Sequence, residues 1–385
     1  MQNTYITTEV TTRQQWNDFY QVPKAVYKHC KHHTLEIRQA VEEELNSDKN
    51  PIANQSRYTA FVTYKNGIPI ARCVAIFQDD LCHKMQRSIG QIGYIEFIDD
   101  PLALASLISN AINWLTAFSI EELWTDIRFS LNYQVGITTF GFGENHTFLM
   151  PNQPEYYYEH LMKIGFKCIK NLNAYNIDLT GQYQIPPSIL EQANNLLSKG
   201  FSIRRMKLSD INYCLRHYNT RWSNNFAHTP FSEDELQHLE SSMKLFLDTR
   251  FCFIAEFNGD LAGYIFTFPD YNRELQSWKG QFSVTNILKF IIQTKILKRV
   301  KGVKTAIIGV DQAYEGMKLS SLLNAEVLQA ALKHRCSYME RSWILEDNIA
   351  SIKQASRIGG TLYKQFSIFS MPAENTKENS LQESA

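Results

Sequence analysis

At 385 residues, with 44% hydrophobic and 12% aromatic side chains, the chain is too long for one ordinary core and apolar enough for two. Lys plus Arg and Asp plus Glu number 39 each, so the balance gives no electrostatic reason to expect a nucleic-acid partner. Seven scattered cysteines without a C-x-x-C pair argue against a disulfide framework and a zinc knuckle, and the start "MQNTYITTEV" lacks a leader's basic and apolar regions, so a cytoplasmic protein is expected.

Taken in chain order, "KHCKHH" (28–33) has metal-ligand residue types, but sequence neighbours do not converge on a tetrahedral ion, and a surface position is expected. "RYTAFVTYKNGIPIARCVAIF" (57–77) reads as two strands around Asn66-Gly67, a hairpin signal. A strand follows at 91–99, then an apolar-spaced helix at 101–118, a strand at 122–131, a helix at 154–164 and a pair of terminal strands. The tyrosines of "PEYYYEHL" (154–161) are expected to pack rather than line a pocket. No apolar stretch is expected to reach the roughly 18 residues of a membrane-spanning helix.

The same order then returns. "RFCFIAEFNGDLAGYIFTF" (250–268) is a second hairpin, followed by a strand at 304–311, a helix at 317–334, a strand at 337–345, a helix at 349–358 and terminal strands. Two copies of one unit are expected, over 1–180 and 201–371, with a connecting helix or linker at 181–200 and a frayed tail at 372–385. The fold class is α/β, a mixed sheet with helices on both faces. In each unit two parallel strands splay at their carboxyl ends, and the helix after the first aims free N–H groups there, which suits an anion.

Between Gln276 and Val310 stand seven basic residues and no acid, around "NILKFIIQTKILKRVKG" (286–302). The commoner outcome for such a segment is a helix whose apolar stripe packs on the sheet. The rarer one is weak peripheral contact with the inner face of an anionic membrane.

The order of parts resembles the GNAT superfamily of acyl-CoA-dependent N-acyltransferases in its tandem bacterial form. It is carried by "IGYIEFIDDPLALASLISNAINWL", "IIGVDQAYEGMKLSSLL" and "ERSWILEDN". The resemblance implies acetyl-CoA or a longer acyl-CoA as donor, with no metal. It aligns the pyrophosphate loop R/Q-x-x-G-x-G/A with Glu315 to Ser320, where Gly316, Met317, Lys318 and Ser320 would meet the donor, and it places main-chain groups of Gly309 and Val310 along the pantetheine arm. The matching stretch of the first half, Asp99-Asp100-Pro101-Leu102, has two acids and no glycine, so a degenerate N-terminal domain and one active site in the second half are expected.

An amine arrives as an ammonium and must lose a proton before attacking a thioester. A carboxylate inside a central strand suits that task, which makes Glu340 the first candidate base and Glu346 the second, with Ser342 and Asn348 as positioning groups. For Asn348 a helix cap is the commoner role. Acceptor-side candidates are Trp222, Asn225, Asp270 and Asn272, with Asp270 better read as part of a turn. The partner is then a small-molecule or lipid amine. Some tandem members resemble bacterial ceramide synthases, so a sphingoid-base N-acyltransferase using long-chain acyl-CoA is a second reading. A third is a non-catalytic binding protein, favoured by Lys318 and by Ala355, which stands where many members place a tyrosine acid.

Overall fold

The computed structural model describes residues 3–297 and 299–373. Most of the expected tail, 374–385, lies outside the described residues, while Pro372 still belongs to the last strand.

The N-terminal half contributes β1 (Tyr5–Glu9), β2 (Arg57–Lys65), β3 (Ile68–Phe77), β4 (Ile89–Phe97), β5 (Glu122–Thr125), β6 (Ile137–Phe140) and β7 (Lys167–Asp178). The C-terminal half contributes β8 (Phe201–Arg205), β9 (Phe253–Phe257), β10 (Asp260–Pro269), β11 (Gly302–Val310), β12 (Tyr338–Leu345) and β13 (Thr361–Pro372). Both expected hairpins form, and Asn66-Gly67 and Asn258-Gly259 take the positive φ that such turns require, at 51°, 81°, 52° and 89°.

All strands join one sheet in the order β1-β2-β3-β4-β5-β13-β7-β12-β11-β10-β9-β8, with β6 beside β13. The halves therefore exchange their last strands. β13 pairs with β5 of the first half, β7 pairs with β12 of the second, and β7 and β13 pair with each other at the centre. This corrects the expectation of two terminal strands per half. Each half has one, and the slot beside β5 or β12 is filled by the other half's strand, so that no edge is left unpaired there. The boundary near 181–200 is one of sequence and does not divide the sheet.

Nor is that stretch a bare linker. Its helix Pro187–Ser198 buries Ile189, Ala193 and Leu196 in the C-terminal core beside the helix Leu319–Lys333. In the first half the helix Pro101–Leu115 with its extension to Phe118 spans 18 residues at mean hydropathy 1.2, long and apolar enough to cross a membrane, contrary to the sequence expectation. Leu104, Leu107, Ile108 and Ala111 of that helix are instead buried in the first half's core.

The site is positioned by the two parallel pairs. β4 and β5 pair only over Ile89–Ile92 and Glu122–Thr125, and β11 and β12 only over Gly302–Thr305 and Tyr338–Arg341. Beyond Ile92 the first gap is closed by the following chain: Ile127 N donates to Ile92 O at 3.1 Å, and a Cβ on Gly93 would lie 2.6 Å from Ile127 O. The second gap stays open.

Candidate active site

Past Thr305, Ala306 is exposed in the middle of the sheet, and a cavity of about 910 Å³ begins at the gap. Its lining includes Ala306, Ile307 and Ile308 of β11 and Arg341 through Leu345 of β12. Successive β12 residues point to opposite faces, so the cavity passes between the strands. One wall comes from the N-terminal half, with Glu36, Glu96, Asp126 and Arg128. The lining also carries an apolar and aromatic group, Leu239, Met243, Phe246, Trp278 and Phe290.

The N-terminal wall holds more carboxyls than cations. Arg128 pairs with Glu36, and Arg72 reaches Glu36 at 3.2 Å. Burial pushes Glu36 up, but the two guanidiniums outweigh it and hold the carboxylate below its ordinary range. With their charge engaged there, the remaining acids feel burial more strongly. Burial, opposed by Arg72 and by the hydroxyl of Tyr157 at 2.6 Å, raises Glu96 to about 7. Burial raises Asp126 to about 8 despite Arg128, and the buried Oδ1 of Asp126 has no hydrogen-bond partner among the described residues. A carboxyl that titrates near neutrality and faces a cavity is equipped to take a proton from an ammonium.

Glu340 is placed differently from its sequence expectation. It is 1% exposed and does not line the cavity. Its carboxylate accepts from Thr147 Oγ1 at 2.6 Å, from the Ser342 hydroxyl and from the Tyr363 hydroxyl, with the charge of Lys304 nearby. Burial raises its pKa against those partners. Lys304, driven down to about 8 by burial, donates to Phe148 O at 3.0 Å. Glu340 thus ties β12, β13 and the 141–153 segment together, and a group so fully engaged is a poor proton acceptor for a ligand. On the opposite face of the strand stands Arg341. It is 4% exposed, lines the cavity, has a buried Nη1 without partner among the described residues, and is lowered to about 10 by burial alone.

The other expected residues divide. Ser342, Asn348, Trp222, Asn225 and Asn272 line the cavity. Asn348 caps the helix Ile349–Arg357, accepting from Ser351 N at 3.1 Å. Asn272 donates to His146 O at 2.8 Å. Glu346 is exposed on the surface, where its carboxylate accepts from Asn171 N and Nδ2 at 3.0 and 2.8 Å, away from the cavity. Asp270 is also outside the lining, its carboxylate occupied by Phe148 N, Asn272 N and the Tyr338 hydroxyl. Ala355 is buried against Tyr175 and Ile344, so that position belongs to packing.

The residues Gly309 to Ser320 lie beyond the cavity lining. Gly309 is fixed by the Tyr264 ring, whose Cζ would be 2.3 Å from an added Cβ, while Val310 packs against the C-terminal core. At the start of the helix Leu319–Lys333, Lys318 takes φ 62° and makes no side-chain cap; Gly316, at φ 78°, has open space where a Cβ would stand; Met317 is 39% exposed and Ser320 is buried. That uncapped start fits an anionic group. Its counterpart in the first half is filled by its own chain, because Asp100 accepts from Leu102 N and Ala103 N at 3.1 and 3.4 Å.

"KHCKHH" is not all surface. His33 stacks on Tyr27 at 3.3 Å and lines the cavity beside His146. Burial lowers the two imidazoles to about 4 and about 3. Of the tyrosines at 156–158, Tyr157 is fully buried while Tyr158 is exposed.

The acetyltransferase (GNAT) family matches residues 212–359. A tandem GNAT protein from the clavulanic acid biosynthesis pathway superposes with TM-score 0.56 at 10% identity, covering 97% of this chain and 99% of that one. A GCN5-related N-acetyltransferase from Sphaerobacter thermophilus superposes with TM-score 0.54, again at 10% identity, covering 96% of each. Residues 212–359 are a GNAT-type domain, and the chain as a whole has the fold of the tandem GNAT proteins. In sequence, the chain is 26% identical to a bacterial ceramide synthase of Caulobacter vibrioides over 84% of its length and 86% of the relative's. It is 25% identical to the protein YghO of Escherichia coli, over 84% of each. The matched domain and the fold are those of N-acyltransferases, whose donor is in general an acyl-CoA.

Sequence reasoning passed over Glu96, Asp126 and Arg128. The signal was present, since charges inside "IGYIEF" and "LWTDIRF" break apolar strands as Glu340 does.

Proposed function

We propose that the protein transfers a long acyl chain from acyl-CoA to the amine of a long-chain base, a sphingoid-base N-acylation by direct attack in a ternary complex. The observation that carries this reading is that the cavity at the open gap between β11 and β12 is also lined by the apolar side chains of Met243, Phe246 and Phe290. An acetyl group and a small polar amine would leave that apolar lining wet. The name of the Caulobacter relative points the same way. An open gap and unpartnered buried polar groups also favour an enzyme over a binding protein that has merely kept the fold.

On this reading the thioester lies between β11 and β12, with its phosphates toward Gly316 and Lys318. Asp126, backed by Glu96, takes a proton from the ammonium. The freed nitrogen lone pair attacks the thioester carbonyl, the C–N bond forms, negative charge gathers on the oxygen, and Arg341 is the cation at hand to balance it. The C–S bond then breaks, CoA leaves as a thiolate, which needs little help from an acid since a thiol titrates at about 8.5, and the second proton of the attacking nitrogen passes to that thiolate or to solvent to leave the neutral amide.

The test is mass spectrometry of the purified protein incubated with sphinganine and either palmitoyl-CoA or acetyl-CoA. N-palmitoyl product formed in preference to N-acetyl product is expected. Absence of any N-acyl product from long-chain amines overturns the reading, and a preference for acetyl-CoA returns the protein to small-substrate chemistry.

A further inference from the structure

The helix Val284–Ile291, continued as a π-helix over Ile292–Ile296, is apolar on two sides. Its inner side holds Phe290, whose ring lies 5.0 Å from Tyr271 and 5.8 Å from Trp278, and Ile287, which lines the cavity. The outer side carries Val284, Leu288, Ile291 and Ile292, exposed by 72%, 55%, 41% and 46%, at helical spacings that make one stripe. Phe282, Ile296 and Leu297 extend it at 52%, 67% and 50% exposure. This reverses the commoner sequence expectation, in which the stripe packs on the sheet. A helix facing only water would carry polar groups on its outer side.

Two further features say what covers the stripe. Lys279, Lys289, Arg299 and Lys301 are exposed around it, and the sequence from Leu275 to Val310 contains no acid, so the surface complements negative charge. Phe282 and Ile291 belong both to the stripe and to the cavity lining, so the exposed apolar patch is continuous with the cavity.

We propose that this helix is an interfacial anchor that lies on an anionic lipid bilayer, with the outer stripe sunk among the acyl chains, the basic residues at the headgroups, and the cavity mouth opening against the membrane. A lipid substrate then reaches the cavity without crossing water. The membrane contact itself stands independently of the acyl-transfer reading, because it is measured without substrate.

The test is flotation of the full chain with phosphatidylglycerol vesicles and with phosphatidylcholine vesicles. Binding to the anionic vesicles at least tenfold stronger than to the neutral ones, weakened by salt and reduced at least tenfold by Ile292→Glu, is the expected result. Ile292 is exposed, so that variant should keep the far-UV circular dichroism of the parent. As a second readout, Val284→Trp should shift its emission to the blue on adding anionic vesicles. No binding to anionic vesicles, or equal binding by Ile292→Glu, overturns the proposal. So does self-association that Ile292→Glu abolishes in a protein that ignores vesicles, since the stripe would then be an interface between copies.

Discussion

Asp126 and Arg341 face one cavity from opposite halves of the chain, and each carries a buried polar atom, Oδ1 in one and Nη1 in the other, that no described neighbour satisfies. Buried polar atoms without partners cost free energy, and they persist where a bound group supplies what is missing.

Replacing Asp126 with Asn keeps the shape and removes the proton acceptor. Turnover should fall by ~100-fold or more with little change in unfolding midpoint. In the wild-type protein kcat/KM should climb as pH rises toward about 8, where Asp126 loses its proton, and then flatten. The variant should lack that limb. Glu96→Gln should shift the limb and reduce turnover less, since Glu96 titrates near about 7 and is already held by Tyr157.

Arg341→Gln should separate stability from function. Removing an unpaired buried charge is expected to leave the ligand-free protein as stable as before or more stable, by up to about 1–3 kcal/mol in urea unfolding. Acyl transfer should nevertheless fall at least tenfold in kcat. A clear loss of stability would mean that the guanidinium is tied to a partner of its own.

Glu340→Gln tests the structural assignment of that residue. The new amide N–H₂ must face the hydroxyl of Tyr363 or the pair Thr147 and Ser342, so about 1–3 kcal/mol of stability should be lost while turnover per folded molecule changes less than tenfold. A hundredfold loss of turnover at unchanged stability would falsify this and return the base's role to Glu340.

His146 and His33 make the fold acid-sensitive. His146 Nε2 accepts from Thr34 N at 3.1 Å, and Nδ1 sits 2.6 Å from Met150 O, a pattern that needs the neutral ring. Their folded pKa values, about 3 and about 4, lie below the unfolded value near about 6.5, so the unfolded chain binds protons first. The stabilisation from neutral rings is full above pH ~6.5 and is lost as pH falls toward those values, by at most ~1.4 kcal/mol per pH unit per ring. Between pH 6.5 and 4.5 the gap in thermal stability between the wild-type protein and His146→Gln should therefore narrow. A gap that stays constant would show that His146 is not held neutral.

The sequence made the repeated unit, both hairpins and the order of helices and strands legible, because apolar period and turn residues are local properties. It could not show the exchange of β7 and β13. Pairing partners of a buried strand are set by distant surfaces, and the apolar run of 361–372 reads the same whichever neighbour receives it. The half that holds the open gap was legible, but the carboxyls that line the cavity come from the other half. A charge beside apolar residues marks Glu340 and Asp126 alike, and only three-dimensional packing reveals that Thr147 and Tyr363 close over the first while the second keeps an oxygen without a partner among the described residues at the cavity. Glu346 and Asp270 lie outside the cavity for a related reason, since backbone N–H groups distant in the chain, those of Asn171 and Phe148, claim their carboxylates.

The crossing of β13 into the first half also governs synthesis. β5 lacks its neighbour until residues 361–372 have been made, so the amino-terminal portion leaves the ribosome with an unfinished sheet and waits for nearly the entire polypeptide. Cutting the gene at the repeat boundary should yield two fragments that each expose an open strand edge and precipitate apart, yet associate when produced in the same cell.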